Sequence, residues 1–362
     1  MVTSRRLFKR FDPFVILPIG YLLGLSLVVL DSITRTASRV EFDFKVQVIA
    51  VFLGMLLFVL STETTAMAWR RMGLWVYIVG VVCLGLVPLI GVTVNDSTRW
   101  LEIGSFQFQP SELAKLGLIA LQARLLSLKS KSLDTPWSLM LSLIYLGLPS
   151  IFILLQPDLG TIVVLLMVWF GMLSFSTINK RTLVLLAAGL FLSVPVAYPF
   201  LADYQKERID TFLSPSTDLQ AEGYNVLQAT IATGSGGWLG KGLDSGSQSQ
   251  LSFLPAQQTD FIFSVISEKL GFVGAVTVIV ALIILVTRLL YLAHTSTISY
   301  VRYFVAGVAV LLGLQIFVNI AMNVGLFPVT GLPLPFVSYG GTHIVVNLLM
   351  VGAALGMRSR EQ

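Results

Sequence analysis

The sequence predicts an all-α, polytopic membrane protein of about ten transmembrane helices, with one large extracytoplasmic loop between the seventh helix and the eighth. Three observations predict it. Hydrophobic residues make up 55% of the chain and charged residues only 12%, about half the share of roughly 25% usual in a soluble domain. The apolar residues come in blocks long enough to cross a bilayer, which takes about 20 residues as helix. Finally, fifteen of the 24 Lys and Arg residues, but only four of the 19 acidic ones, fall on the alternate inter-helix segments that share a side with the N-terminus. That asymmetry follows the positive-inside rule with both termini in the cytoplasm.

The clearest blocks are 14–30, 46–60, 73–90, 137–155, 159–176, 182–199, 261–287, 303–325 and 342–357. A tenth, Glu112 to Leu126, is shorter and more polar, with Glu112, Lys115, Gln122 and Arg124 inside it. Charge keeps it as a span, because without it Arg124, Lys129 and Lys131 would change sides. The pI near 9.3 is thereby a topology signal, and nucleic acid is not an expected partner. The basic start Arg5-Arg6-Leu7-Phe8-Lys9-Arg10 reads as a cytoplasmic tail. The first span has no small-residue cleavage pattern after it and is expected to be retained. The whole chain, 1–362, reads as a single transmembrane domain.

The long outer loop, 201–259, carries Leu219, Val226, Leu227, Thr230 and Ile231 at helical spacing. An amphipathic helix is expected there, either as a platform beside a substrate or as a cover over the bundle. The glycine-rich run Gly234-Ser235-Gly236-Gly237 and Gly240-Lys241-Gly242 fails the P-loop pattern, since Ser235 stands where Gly is needed and Gly242 where Ser or Thr is needed.

The one cysteine, Cys83, excludes an intramolecular disulfide and reads as a packed residue. His294 and His343 lie far apart in sequence, which argues against a zinc site. Ionisable and polar groups at membrane depth are expensive and mark a cavity or a partner. Glu112, Lys115 and Gln122 share a stripe, with Glu112 and Lys115 close enough to pair. Asp260, Ser264, Ser267 and Glu268 form another stripe, Gln315, Asn319 and Asn323 a third, and His343 with Asn347 a fourth. Four such stripes point to a polar cavity opening outward. The competing reading is hydrogen-bonding glue between helices. By position alone Asp260 reads better as a helix cap, as does Asp158 in Gln156-Pro157-Asp158-Leu159-Gly160.

Three long motifs change the weight on Asp260. One runs through Gly240-Lys241-Gly242, Ser247-Gln248-Ser249-Gln250-Leu251, Phe253-Leu254-Pro255 and Thr259-Asp260-Phe261-Ile262-Phe263. The second is Asn323-Val324-Gly325-Leu326, Pro328 to Phe336 and Ser338-Tyr339-Gly340-Gly341. The third is Arg99-Trp100 with Gln109-Pro110-Ser111-Glu112-Leu113-Ala114-Lys115. Over nearly its whole length the chain resembles the SEDS family (shape, elongation, division and sporulation). Its Gly-Lys-Gly and Ser-Gln-Ser-Gln elements are more similar to the RodA branch than to the FtsW branch.

The resemblance implies a peptidoglycan glycosyltransferase of the bacterial cytoplasmic membrane. Such an enzyme polymerises lipid II into glycan strands on the outer face during elongation, beside a class B penicillin-binding protein and other elongation-complex membrane proteins. It implies Asp260 as the catalytic residue. Lipid II carries an α-linked sugar diphosphate and the product is β-linked, so a single inverting displacement with a carboxylate base fits. The departing diphosphate needs positive charge, for which Arg99, Lys115 and Lys241 lie on the outer side, with Glu112 orienting Lys115. Ser264, Glu268 and Asn323 complete the expected substrate-binding set. A divalent cation at the diphosphate would suit this chemistry, but the sequence shows no dedicated metal site. Against the family pattern, Gln258 replaces a His before Thr-Asp, Lys269 replaces a second acid, and Thr342 and His343 stand where Ser is frequent. Two other readings fit the polar stripes: a flippase for a lipid-linked precursor, and a scaffold for wall enzymes that needs no catalytic carboxylate.

Overall fold

The structure is a computed structural model and describes residues 12–36, 44–94, 97–104, 106–128, 135–213, 222–246, 254 and 256–361. The motif Ser247-Gln248-Ser249-Gln250, together with Leu219, Lys129 and Lys131, lies outside the described residues. Ten long helices occupy the ten predicted segments: α1 (Pro13–Thr36), α2 (Phe44–Thr62), α3 (Ala66–Ile90), α4 (Pro110–Leu128), α5 (Pro136–Leu154), α6 (Leu159–Ser174), α7 (Lys180–Ala197), then α10 (Ile262–His294), α11 (Ser299–Asn323) and α12 (Gly341–Ser359). Seven of them, α1, α2, α3, α5, α10, α11 and α12, are long and apolar enough to cross a membrane. Large apolar side chains such as Phe52, Leu89 and Phe191 stand outward, as a surface against lipid tails requires.

The bundle is ordered by burial. In the apolar windows of α2 and α5, 28% of residues are buried, whereas α11 reaches 67% and α12 78%. α4 is enclosed almost all round, from Pro110 to Leu126. Its weak hydropathy therefore has a plain cause: it faces other helices, so its sequence has no need to be lipid-like. Small residues allow the close approach. Gly73, Gly80 and Gly117 bring α3 against α4, meeting Ala120, Ala114 and Tyr77 in turn. Gly352 and Gly356 of α12 sit on Phe58, Ser61 and Thr62 of α2.

Two features depart from the sequence expectation. The fold is not purely helical: between α3 and α4 the chain forms a three-stranded antiparallel sheet, β1 (Val92–Val94), β2 (Ser97–Ile103) and β3 (Phe106–Phe108). Val92 pairs with Trp100, and Leu101 with Phe108. Strands of three to seven residues are too short to show a pattern beside apolar blocks of twenty.

The outer loop holds two helices, α8 (Asp203–Leu213) and α9 (Glu222–Ser235). α9 covers the bundle through its small residues, with Ala229 and Ala232 buried and Gly236 against the Ser267 carbonyl. Leu227 and Ile231 point outward instead.

The glycine-rich run after α9 joins a break in α10. At Gly271 (φ 69°, ψ −167°) the helix is interrupted. The freed carbonyls of Glu268 and Lys269 accept from Lys241 N–H and Gly242 N–H, both at 3.0 Å. Phe272 N–H and Val273 N–H donate to Gly237 and Trp238 carbonyls at 2.8 and 3.2 Å. A backbone break among membrane-length helices is tolerated only where its polar groups find partners, and the run supplies four.

At one end of the bundle, Arg288 pairs with Asp12 (2.6 Å), Arg360 with Glu63 (3.0 Å) and Arg358 with Glu361 (2.8 Å). Glu361 also accepts from Thr297 N–H and Ile298 N–H at 3.2 Å. These contacts gather Asp12 and the segments 61–73, 288–302 and 358–361 onto one face.

Candidate functional site

At the opposite face the sheet, the starts of α4, α6, α10 and α12, the end of α11 and the loop 324–340 converge. Asp260 lies in a tight turn just before α10, where the Ala256 carbonyl accepts N–H groups from Thr259, Asp260 and Phe261 at 3.1, 3.1 and 3.4 Å. The residue is half-buried. Its backbone carbonyl accepts from Asn323 Nδ2 (2.9 Å) and Asn319 Nδ2 (3.0 Å). Its carboxylate faces Gly331, where an added Cβ would lie 3.8 Å from Oδ2.

The loop that carries Gly331 is fixed on several sides. Ser338 Oγ donates to the Thr259 carbonyl (2.6 Å), and Tyr339 N–H to the Gln258 carbonyl (2.8 Å). Ser26 of α1 donates to the Val337 carbonyl (2.6 Å), and Gln47 of α2 accepts from Gly340 N–H (3.1 Å). Leu334, Phe336 and Val337 are fully buried. The stretch 334–338 is thus an irregular segment enclosed by protein, the setting in which such backbone is stable inside a membrane bundle.

Arg99 is tied to the segment 156–158, which leads into the part of α6 that packs on this loop. Its Nε and Nη2 donate to the Gln156 and Pro157 carbonyls at 3.2 and 2.5 Å. Its Nη1 lies 3.7 Å from Asp158 Oδ1, and 17% of the Arg99 side chain is exposed. Asp158 caps α6, accepting from Thr161 N–H and Oγ1 at 3.2 and 2.8 Å. Gly160, two residues on, meets the Thr330 carbonyl, which carries the Arg99–Asp158 pair to the edge of the Gly331 turn.

Glu112 and Lys115 pair at 2.6 Å, each with 2% of its side chain exposed. The second Glu112 oxygen lies 3.5 Å from His343 Nδ1, and His343 Nε2 is 3.0 Å from Asn347 Nδ2. One residue earlier, Thr342 ties α12 to the sheet, donating to the Gln107 carbonyl (3.0 Å) and accepting Gln109 N–H (3.1 Å). Lys241, 31% exposed, pairs with the fully buried Glu268 at 3.1 Å and donates to Ser235 Oγ at 2.8 Å. Lys269 is fully buried and donates to Ser32 Oγ (2.7 Å) and to the Leu243 carbonyl.

Of the residues expected to touch substrate, Asp260, Arg99 and Lys241 reach the surface. Glu112, Lys115, Ser264, Glu268 and Asn323 are at most 2% exposed and engage protein partners. Part of the polarity in the stripes is taken up by bonds between helices. Ser142 of α5 accepts from Gln122 and from Trp169, both at 2.6 Å, and Asn319, Asn323 and Asn347 are fully buried. Gln122, Ser142 and Trp169 thus bond across three helices, as polar residues between membrane helices do, whereas neither side-chain polar atom of the fully buried Gln315 has a hydrogen-bond partner among the described residues. Among the described residues no three or more His, Cys, Asp and Glu side chains cluster as metal ligands do. Sequence reasoning missed Ser26 and Gln47, and included Gly331 only as part of the motif Pro328 to Phe336. Asn319, four residues before Asn323, was legible as part of a stripe, but its partner, a carbonyl 59 residues away, was not.

A bundle of membrane-length helices, with buried ion pairs and an acidic turn packed on an enclosed loop at one face, defines a multi-pass membrane protein with a polar site at one end. The chain belongs to the FTSW_RODA_SPOVE family of cell cycle proteins, whose model matches residues 11–361. It is 33% identical over 320 residues to the peptidoglycan glycosyltransferase MrdB of Escherichia coli, covering 86% of this chain and 84% of that one. To MrdB of Helicobacter pylori it is 33% identical over 362 residues, covering 97% and 91%. A solved peptidoglycan synthase complex, described as coordinating polymerization and crosslinking, contains a chain with TM-score 0.80 and 30% identity, with 97% of this chain and 98% of that one covered. The crystal structure of the rod shape determining protein RodA of Thermus thermophilus matches with TM-score 0.72 and 28% identity, with 97% and 98% covered.

Proposed function

We propose that this chain is a peptidoglycan glycosyltransferase that polymerises lipid II into glycan strands, with Asp260 as general base. The observation that carries the reading is the placement of Asp260. A carboxylate is held outside a helix, half-buried, over a glycine turn at the end of the bundle remote from the basic segments. In the reaction, Asp260 takes the proton of the acceptor sugar hydroxyl as its oxygen attacks the anomeric carbon of the donor. The bond from that carbon to the diphosphate oxygen breaks on the opposite side, so the α-linkage becomes β. The departing diphosphate leaves as an anion and is met by positive charge. Arg99, tied to the segment leading into the part of α6 that packs on the same loop, is best placed to supply it. Lys241 serves first as the counter-charge of Glu268, and the buried Glu112–Lys115 pair holds the start of α4 on α12.

In this reading all ten long helices cross the cytoplasmic membrane, both termini are cytoplasmic, and the site and the 201–259 segment face outward. The basic face of the bundle and the alternation of charge along the chain support it. A class B penicillin-binding protein is the proposed partner, in keeping with the synthase complex that the fold resembles.

The test is purified protein incubated with labelled lipid II and its transpeptidase partner. Glycan polymer of many disaccharides is the expected product. Movement of lipid II between leaflets without polymer would favour a flippase, and neither activity would favour a scaffold. Either result would overturn the proposal.

A further inference from the structure

We propose that Asn319 and Asn323 of α11 are positioning residues for Asp260. The inference rests on Asp260 being the acting carboxylate and assigns what holds it in place. In a regular helix start, the carbonyl of residue 260 would accept the N–H of residue 264. Here the two groups are diverted to a side chain from another helix. Ser264 N–H donates to Asn323 Oδ1 at 3.1 Å, and Asn323 Nδ2 donates to the Asp260 carbonyl at 2.9 Å. One carboxamide is thus inserted between the donor and the acceptor of the would-be first helical bond. Both peptide groups stay satisfied while residue 260 is released from helical geometry.

Asn319 adds the second constraint. Its Nδ2 donates to the Asp260 carbonyl at 3.0 Å and to the Leu332 carbonyl at 2.8 Å. Leu332 follows Gly331, the residue that the carboxylate faces. Gly331 has φ 71°, a conformation that glycine adopts without strain. One side chain therefore fixes both the backbone that carries the carboxylate and the turn in front of it. Ser264 Oγ completes the assembly with a 2.6 Å bond to Asn323 Oδ1, and Thr233 of α9 donates to Ser264 at 3.0 Å. Both asparagines are fully buried and bond protein groups, so they act through Asp260 and do not touch substrate.

The expected signature is a loss in turnover without a loss in binding, because misplacing a reacting group by about 1 Å can cost about 100-fold. The experiment measures kcat and KM for polymerisation of labelled lipid II by the full chain with its transpeptidase partner. Asn319→Ala and Asn323→Ala should each lower kcat by about 10- to 100-fold and leave KM within about threefold, in protein that still extracts folded and retains the partner. If an alanine protein does not fold, Asn319→Ser and Asn323→Ser carry the same expectation. They keep a polar group in the buried slot but are too short to bridge to the Asp260 carbonyl. Normal kcat in folded Asn variants, with Asp260→Asn inactive, would overturn the positioning role and leave Asp260 standing. A rise in KM matching the fall in kcat would equally overturn it, by showing a general distortion of the site. A fully active Asp260→Asn protein would remove the underlying reading as well.

Discussion

Glu112 and Lys115 form an ion pair, joined by His343, with almost no contact with solvent. Two charges removed from water are stable only as a pair, and removing one partner of such a pair costs about 3–5 kcal/mol. Lys115→Ala should therefore lower stability by about that amount, measured as the midpoint of denaturant unfolding in detergent. The exposed Lys180→Ala should change it by less than about 0.5 kcal/mol. Replacing both members, Glu112→Leu with Lys115→Leu, should recover much of the loss, because a buried pair is often no better than apolar residues of similar size. Equal, small effects of Lys115→Ala and Lys180→Ala would show that the pair carries no structural role. The pairing itself was legible in the sequence, since residues three apart on a helix are neighbours. The third member was not: His343 approaches from α12, and sequence spacing says nothing about which helix packs on which.

The break in α10 shows what a helix requires when its ladder is interrupted at membrane depth. Gly271 has a backbone conformation reserved in practice for glycine, and an added Cβ would collide with the backbone N of Gly240. Gly271→Ala should cost at least about 1–3 kcal/mol for the conformation alone, before the collision, and should lower the thermal midpoint clearly. Gly189→Ala in α7 is the contrast. No atom lies within 4 Å of a Cβ there, and alanine is the better helix former by about 1 kcal/mol, so its midpoint should hold or rise. Matching midpoints for the two variants would contradict the account of the break. The glycine run 234–242 was conspicuous in the sequence, and its failure as a phosphate loop could be read there. What it does could not, because its partners are the backbone groups of residues 268–273, and backbone partners leave no mark in side-chain chemistry. The sheet between α3 and α4 escaped for a related reason: cross-strand hydrogen bonds decide it, over strands too short to show a period.

At the scale of the whole molecule, charge and hydropathy defined the bundle well. All ten segments read from the sequence carry helices, including α4, which only the charge alternation favoured. Packing was less legible. Hydropathy measures contact with lipid, so α4, enclosed by other helices, looked weakest although it is among the most buried. The same limit applied to the polar stripes, because facing a cavity and facing another helix demand the same residues. The proposed orientation has a direct check in a Cys83→Ala background. A cysteine placed at the exposed Glu207 should react with an impermeant reagent added outside intact cells, and one at the exposed Thr297 should not. The opposite pattern would invert the topology and put the site on the wrong side of the membrane for lipid II polymerisation. The proposed reaction depends on Asp260 as its general base. It is tested most directly by the rate at which Asp260→Asn, folded and bound to its transpeptidase partner, polymerises lipid II. Asparagine keeps the size of the side chain and removes the base, so a loss of about 10²–10⁴-fold is expected. A folded Asp260→Asn protein working at close to the normal rate would contradict it.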